Sequence, residues 1–579
     1  MSLLSVVLLS ALVLMAAYWT YGPVLSRLLQ LDPKAETPAV RLRDDVDYVP
    51  IEPKFLLTQH FSAIAAAGPI VGPILAGAMF GWAPALLWIL IGSVLIGGVH
   101  DMTSLVASIR HQARSIADVV REHMTPRSYL LFLAFIWLAL VYIVVAFTDI
   151  TAASFVGALQ LENGDTVTGA GIATSSLLYL ALPIVMGLVL RYTRMPLSLA
   201  TVIFLPLVAV SIWAGQYAPL DLEKLLGVDV AVAQRVWCVV LLIYCFIASV
   251  IPMWLLLQPR GHLGGFFLFF ALGGGALGLI FGGKPVAYPA FIGWESLQGQ
   301  PLFPLLFVTI ACGACSGFHS MIASGTTSKQ LRRETDARLV GYGTMLMEGM
   351  VAVVSLACVM MLSADHELIT GPGNPKPNLL YAQGIGSFLA VLGIPASFGV
   401  SFGLMAFTTF VYDTLDVCTR LGRYILQELT GWNGRLGRLV CTAATAAVPL
   451  IFLMRQPIQG GKVTPTWRVF WDLFGASNQL LAALTLIGVT VWLWQTRRAR
   501  WVWLVTGLPA VLMYTMSTWA LGRIIYLTYA KTGIGLDLVA WVAVVLLALA
   551  ALMLVEAVLV VLGSAGPPAR RGAPALASA

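Results

Sequence analysis

Charge is what this 579-residue chain has least of. Only 11% of its residues are Asp, Glu, Lys or Arg, against about 25% in soluble domains. Hydrophobic residues make up 59% of the chain and the mean hydropathy is +0.88. These values exclude a soluble globular domain and indicate a polytopic membrane protein. The net charge of +7 is not a nucleic-acid footprint; its meaning depends on where the cations sit. The seven cysteines are scattered, mostly inside apolar runs, so no disulfide framework is implied. No HExxH or GxSxG occurs and no nucleophile–base pair is fixed by spacing, so no catalytic residues and no enzyme are expected. The start, MSLLSVVLLSALVLMAAYW, lacks the basic opening and small-residue cleavage site of a signal peptide and reads as a retained first span. Low complexity is confined to 564–579, read as a disordered tail.

Long apolar stretches are abundant. A span needs about 20 apolar residues, and fifteen such runs occur: 3–26, 56–80, 83–109, 129–158, 168–190, 196–216, 236–257, 264–282, 303–325, 339–363, 395–419, 439–454, 469–495, 501–522 and 538–562. Threaded alternately through a bilayer, they leave nearly three-quarters of the 34 Lys and Arg on one side. By the positive-inside rule that side is cytoplasmic, with the N-terminus outside and the C-terminus inside. The segment 364–394, rich in breakers (GPGNPKPN), reads as a lid, a re-entrant helix or an ordinary extracellular hairpin.

The second run contains Ala66-Ala67-Gly68-Pro69-Ile70-Val71-Gly72-Pro73. Two prolines four apart remove two backbone donors, and the glycines loosen the helix further. In lipid, freed backbone groups survive only where protein, water or a ligand satisfies them. The stretch is therefore a packing kink or one wall of a site. Ile64-Ala-Ala-Ala-Gly-Pro69 and Ile247-Ala-Ser-Val-Ile-Pro252 both read I-A-x-x-x-P, five spans apart. That spacing suggests a five-plus-five inverted repeat, 56–216 against 238–428, with a broken first helix in each half. The chain then divides into 1–55 (first span and cytoplasmic segment), a transport core 56–430, additional spans 431–563 and the tail.

Ionisable groups at membrane depth are costly and mark function by default. His100-Asp101, His319, Glu348, Asp413 and Asp416 lie well inside runs, whereas His60, Asp149 and Asp472 sit near span ends. Asp101 and Glu348 have no Lys or Arg at their depth and suit a proton relay or an ion site. Asp413 and Asp416 share one helix face, and Asp416 can alternatively pair with Arg420 at i+4. Ser324-Gly325-Thr326-Thr327 offers hard oxygens for Na⁺ or caps for frayed carbonyls. Cys312, Cys315 and His319 lack a fourth ligand in apolar surroundings, so no metal is expected. Asn478 and Gln479 read as helix–helix glue.

HFSAIAAAGPIVGPILA (60–76), HDMTSLVASIRHQARSIADVV (100–120), IACGACSGFHSMIASGTTSKQL (310–331), DARLVGYGTMLMEG (336–349), DVCTRLGRYILQELTG (416–431) and WDLFGASNQLLA (471–482) occur in one consistent order. Together they resemble the carbon starvation protein family of bacterial inner-membrane transporters. The resemblance implies the amino acid–polyamine–cation superfamily, an all-α inverted-repeat core, and ion-driven uptake of peptides or pyruvate during carbon starvation. The family-like positions are His60, Gly68, Pro69, Gly72, Pro73, Asp101, His319, Ser324, Gly325, Thr326, Thr327, Glu348, Asp416 and Thr419. His100, Asp149, Cys315 and Asp413 depart from the pattern, and Asp149 puts charge selectivity in question. Expected substrate contacts are Gly68, Pro69, Gly72, Pro73 and His319. Expected ion or proton coupling groups are Ala66, Ala67, Asp101, Ser324, Thr326, Thr327, Glu348 and Asp416. The coupling ion is H⁺ or Na⁺ with no cofactor, and the partners are a small-molecule substrate and the bilayer. The alternative is a transporter-like nutrient sensor.

Overall fold

A computed structural model describes all residues except 1, 45–47, 162–163, 253, 297–298, 372–374, 433, 456–457, 460–461, 533–537 and 564–579. The expected tail thus lies outside the described residues. The architecture is all-α: among the described residues thirteen helices are long and apolar enough to cross a membrane, or fourteen when a bent pair is counted as one span. Two short hairpins, Ala158–Gln160 with Thr166–Thr168 and Ile458–Gln459 with Lys462–Val463, are the only strands among those residues.

In chain order the elements used below are α1 (Leu3–Leu29), α2 (Pro53–Ile64), α3 (Gly68–Phe80), α4 (Trp82–Arg110), α5 (Ile116–His123), α6 (Pro126–Ala153), α7 (Gly169–Thr193), α8 (Leu197–Tyr217), α9 (Val230–Val250) and α10 (Leu257–Gly282). They continue with α11 (Leu302–Thr309), α12 (Gly317–Ile322), α13 (Thr344–Met360), α14 (Pro377–Ala390), α15 (Ala396–Thr430), α16 (Arg435–Leu453), α17 (Thr466–Arg497), α18 (Leu508–Thr532) and α19 (Leu538–Val561). Helix starts follow local chemistry. The side chains of Thr125, Thr168 and Asp229 accept from the backbone N–H three residues on, at 3.1, 3.1 and 2.7 Å, and begin α6, α7 and α9.

The second run is broken as its prolines require. α2 and α3 meet at 49° across Ala65–Ala67, with Pro69 in the first turn of α3, where its missing N–H costs nothing. The second break is not where the I-A-x-x-x-P match put it. α9 is continuous to Val250, and Pro252 lies in the connection to α10, because its run simply ends there. The ninth run carries the break instead. α11 stops at Thr309, Ile310–Ser316 is not helical, α12 is six residues long, and Ala323–Thr327 is a π-helical turn. This run therefore joins the two ends of the molecule without a span-length helix.

Loops predicted to share a side do meet. At one end Arg110 Nε donates to Glu334 Oε1 at 2.8 Å, Asp32 N donates to Glu334 Oε2 at 2.8 Å, and Ile51 N donates to Gln330 O at 3.1 Å. At the other, Leu3 N donates to Lys284 O at 3.0 Å and Ala83 N to Ala290 O at 2.9 Å. The segment 364–394 contributes α14, which is largely buried and packed against α15 and α10. α17, from the C-terminal block, is no peripheral addition: its most apolar window is 94% buried. Exposed Leu9, Leu12, Met15 and Trp19 on α1 mark the apolar outer belt.

Candidate functional site

The two breaks lie against each other. A Cβ on Gly68 would stand 2.2 Å from Cys312 Sγ, and one on Gly72 would stand 2.4 Å from the carbonyl oxygen of Thr309. Only glycine allows this approach. The faces of Gly68 and Gly72, expected to contact substrate, are thus occupied by the second broken segment, and Pro69 and Pro73 are buried beside them. Ala67 O accepts from Ile70 N at 3.1 Å and Val71 N at 2.8 Å, while no donor among the described residues reaches Ala66 O.

α17 satisfies the second break. Asn478 Oδ1 accepts from Phe318 N at 3.0 Å, at the start of α12, and Gln479 Nε2 donates to Phe307 O at 2.6 Å, at the end of α11. These amides replace the hydrogen bonds the unwound turn forgoes. Cys312 Sγ lies 3.3 Å from Asn478 Nδ2.

Below the breaks is a fully enclosed string of titratable groups. His100 Nδ1 lies 2.7 Å from Asp101 Oδ1, His319 Nδ1 2.8 Å from Asp101 Oδ2, and His319 Nε2 3.2 Å from Glu348 Oε2. The last contact is an ion pair without hydrogen-bond alignment, and among the described residues neither Glu348 oxygen has a hydrogen-bond partner. All four side chains are 0% exposed. The partner that Asp101 and Glu348 lack in the sequence is thus His319, supplied by α12 just past the second break, where its ring nitrogens are engaged by the two carboxylates. Such groups can hold one proton among several sites and pass it along the string.

A second buried cluster was not foreseen. Arg260 is enclosed at the start of α10, where its Nε donates to Asp413 Oδ1 at 2.6 Å. Its Nη1 contacts Asp416 Oδ2 and the Tyr244 hydroxyl, which itself donates to Asp416 at 2.7 Å. Ser62 completes the shell on Asp413. Arg420 is not the partner of Asp416: its Nη2 donates to the carbonyls of Ala248 at 2.6 Å and Ile251 at 2.8 Å, closing the end of α9. A lone Arg in the short polar link QPRGH between two apolar runs was the available signal.

The hydroxyl stretch is committed locally. Ser324 donates to Ser320 O at 2.7 Å and accepts from Ile116 N at 3.1 Å, so it faces α5 and not Ala66 or Ala67. Thr326 bonds back to Ile322 O at 3.1 Å, and Thr419 to Leu415 O at 2.8 Å. Thr327 Oγ1 meets His60 Nδ1 at 2.8 Å. Asp149 is buried; it accepts from Trp467 N at 2.8 Å and Gln234 Nε2 at 2.8 Å, so it holds the start of α17.

His60, Thr326, Thr327 and Asp413 line one small cavity with Gln59, Gly261 and Gln330, with a volume of about 30 Å³. It lies between α2, the π-helical turn and α15, towards the end where the basic loops meet.

Against this geometry, the sequence profile described as carbon starvation protein CstA matches residues 2–374 and 369–520. The chain belongs to the carbon starvation protein CstA family. Relatives include the Escherichia coli pyruvate/proton symporter BtsT, 31% identical over 611 residues (91% of this chain, 82% of the relative). The Helicobacter pylori peptide transporter CstA is 31% identical over 578 residues (88% and 80%). Among solved structures, a mutant of the Eremococcus coleocola manganese transporter superposes with a TM-score of 0.44 at 14% identity, covering 90% of this chain and 98% of that one. As a member of the CstA family with this many spans, the protein is a multi-pass membrane protein.

Proposed function

We propose that this CstA-family protein is a secondary transporter, not an enzyme, that imports small carboxylate-bearing nutrients, peptides or pyruvate, during carbon starvation. In this reading it resides in the bacterial cytoplasmic (inner) membrane, with its N-terminus outside and C-terminus inside, and is driven by protons. The observation that carries the proton assignment is the enclosed string His100–Asp101–His319–Glu348, in which neither Glu348 oxygen has a hydrogen-bond partner among the described residues. The printed names of its relatives, a pyruvate/proton symporter and peptide transporters, support the substrate class. Sodium is less well served, because Ser324 Oγ accepts from Ile116 N at 3.1 Å and so faces α5 and not the carbonyls of Ala66 and Ala67.

Substrate enters beside His60 and Asp413 when the small cavity there widens, and the N-terminal end of α3, with its positive dipole, favours a carboxylate arriving at the break. A proton on Glu348 or Asp101 changes the charge held beside both breaks, and so changes which access is stable. The alternative, a nutrient sensor, is less favoured because the relatives are named as transporters.

The test is uptake of pyruvate, dipeptides and tripeptides into proteoliposomes at two pH values, with and without Na⁺. Accumulation that follows the pH gradient is expected. Uptake indifferent to both gradients refutes coupling, Na⁺ dependence alone refutes the proton assignment, and binding without accumulation favours the sensor.

A further inference from the structure

On the basic end of the molecule, away from the transport cavity, two histidines face each other. His111 ends α4 and His123 ends α5; their Nε2 atoms are 2.8 Å apart, with the rings nearly perpendicular. The opposite nitrogen of each ring is spoken for. His111 Nδ1 lies 2.6 Å from Ala107 O, a carbonyl that can only accept, so that nitrogen carries the proton. His123 Nδ1 lies 2.9 Å from Gln495 Oε1. The orientation of this amide is fixed because Gln495 Nε2 donates to His123 O at 3.1 Å, so His123 Nδ1 is also the protonated nitrogen. Both Nε2 atoms then present lone pairs to each other, which is unfavourable unless a cation sits between them. Glu122 brings a carboxylate oxygen within 4.8 Å of both.

We propose that His111, His123 and Glu122 form a binding site for a first-row divalent transition metal of the zinc class, with water as the fourth ligand. Imidazole and carboxylate suit such ions, and Nδ1–H groups held by carbonyl or amide oxygens are the usual outer support of a metal-bound histidine. Tetrahedral bonds of about 2.05 Å place two nitrogens about 3.3 Å apart, so the rings need part by only about half an ångström. The residues come from α4, which carries Asp101, and from α5, with the supporting Gln495 on α17. A bound ion therefore ties three elements together at this corner.

The experiment uses full-length protein purified in detergent, with any affinity tag removed and metal stripped by chelator. Zinc binding is measured by titration calorimetry and by metal content after gel filtration. One equivalent per chain is expected, with affinity falling at least tenfold in His111→Gln and in His123→Gln, about tenfold to a hundredfold in Gln495→Leu, and not at all in His366→Gln. Cobalt should give the visible absorption of a four-coordinate site, lost in His123→Gln. If a histidine variant fails to run as a single species, Glu122→Gln and Gln495→Leu supply the comparison. No zinc above background, as for a pair that merely shares a proton, overturns the proposal. So does binding unchanged across these variants.

Discussion

Replacing Arg260 by methionine tests the unforeseen buried cluster most directly. In the parent, Nε donates to Asp413 at 2.6 Å, and Nη1 meets Asp416 and Tyr244. Both carboxylates are buried, one turn apart on α15. Methionine fills much of the volume but leaves two uncompensated carboxylates. Breaking a buried pair by removing one partner costs about 3–5 kcal/mol. At 1.36 kcal/mol per decade, that is about two to four decades in the folded-to-unfolded ratio. The combined variant Arg260→Met, Asp413→Asn, Asp416→Asn removes every charge and loses far less, because replacing a whole buried pair is often close to neutral. Reversible unfolding of reconstituted protein by SDS titration reads both values. If Arg260→Met lies within about 1 kcal/mol of the parent, the ion pairs are not what stabilises this junction. A combined variant at least as damaged as the single one would equally refute the reasoning.

Glu348→Gln should bring proton-driven accumulation down to the level of empty liposomes while substrate exchange across the membrane persists; accumulation at parental level would remove Glu348 from the coupling string. Gly68→Ala overpacks against Cys312 and should cost about 1–3 kcal/mol, with Cys312→Gly restoring stability because the colliding atoms belong to that side chain. Gly72→Ala collides with the backbone oxygen of Thr309, so no side-chain shortening should rescue it, and thermal stability of the paired variants checks both statements. Asn478→Leu leaves Phe318 N without its acceptor and should lower stability by about 1–3 kcal/mol; unchanged melting would show that water already serves that position.

Much of the fold was legible because a bilayer enforces span length and loop charge. All the apolar runs but the ninth reappear as membrane-length helices or a bent pair, and the basic loops meet at one end through Arg110, Glu334 and Ile51. The first break was legible because proline and glycine act locally on Ala65–Gly68. The second was not, because a six-residue match at Pro252 carried no information about Ile310–Ser316, where the helix is opened by Asn478 and Gln479 from a span more than 150 positions away. The carboxylates Asp101, Glu348 and Asp416 were visible as expensive residues at depth, but their partners His319 and Arg260 were fixed only by tertiary packing. Arg260 was not singled out because charge counting treats every arginine between runs as facing water. His111 and His123 were overlooked because their significance lies in which ring nitrogen is free, and spacing does not reveal that.

The contact between the two breaks has a mechanical consequence. Where Gly72 meets Thr309, and again where Gly475 on α17 would place a Cβ 2.0 Å from Val308 O, backbone is seated directly on backbone, and Gly68 is seated on the short side chain of Cys312. Such a joint has no long side chains to change rotamer and absorb a shift, so it behaves as a keyed block. α3, the Ile310–Ser316 turn and the middle of α17 must travel together or separate completely. Sliding between access states is then confined to the borders of that block, where side chains such as His60, Thr327 and Asp413 leave room around the cavity.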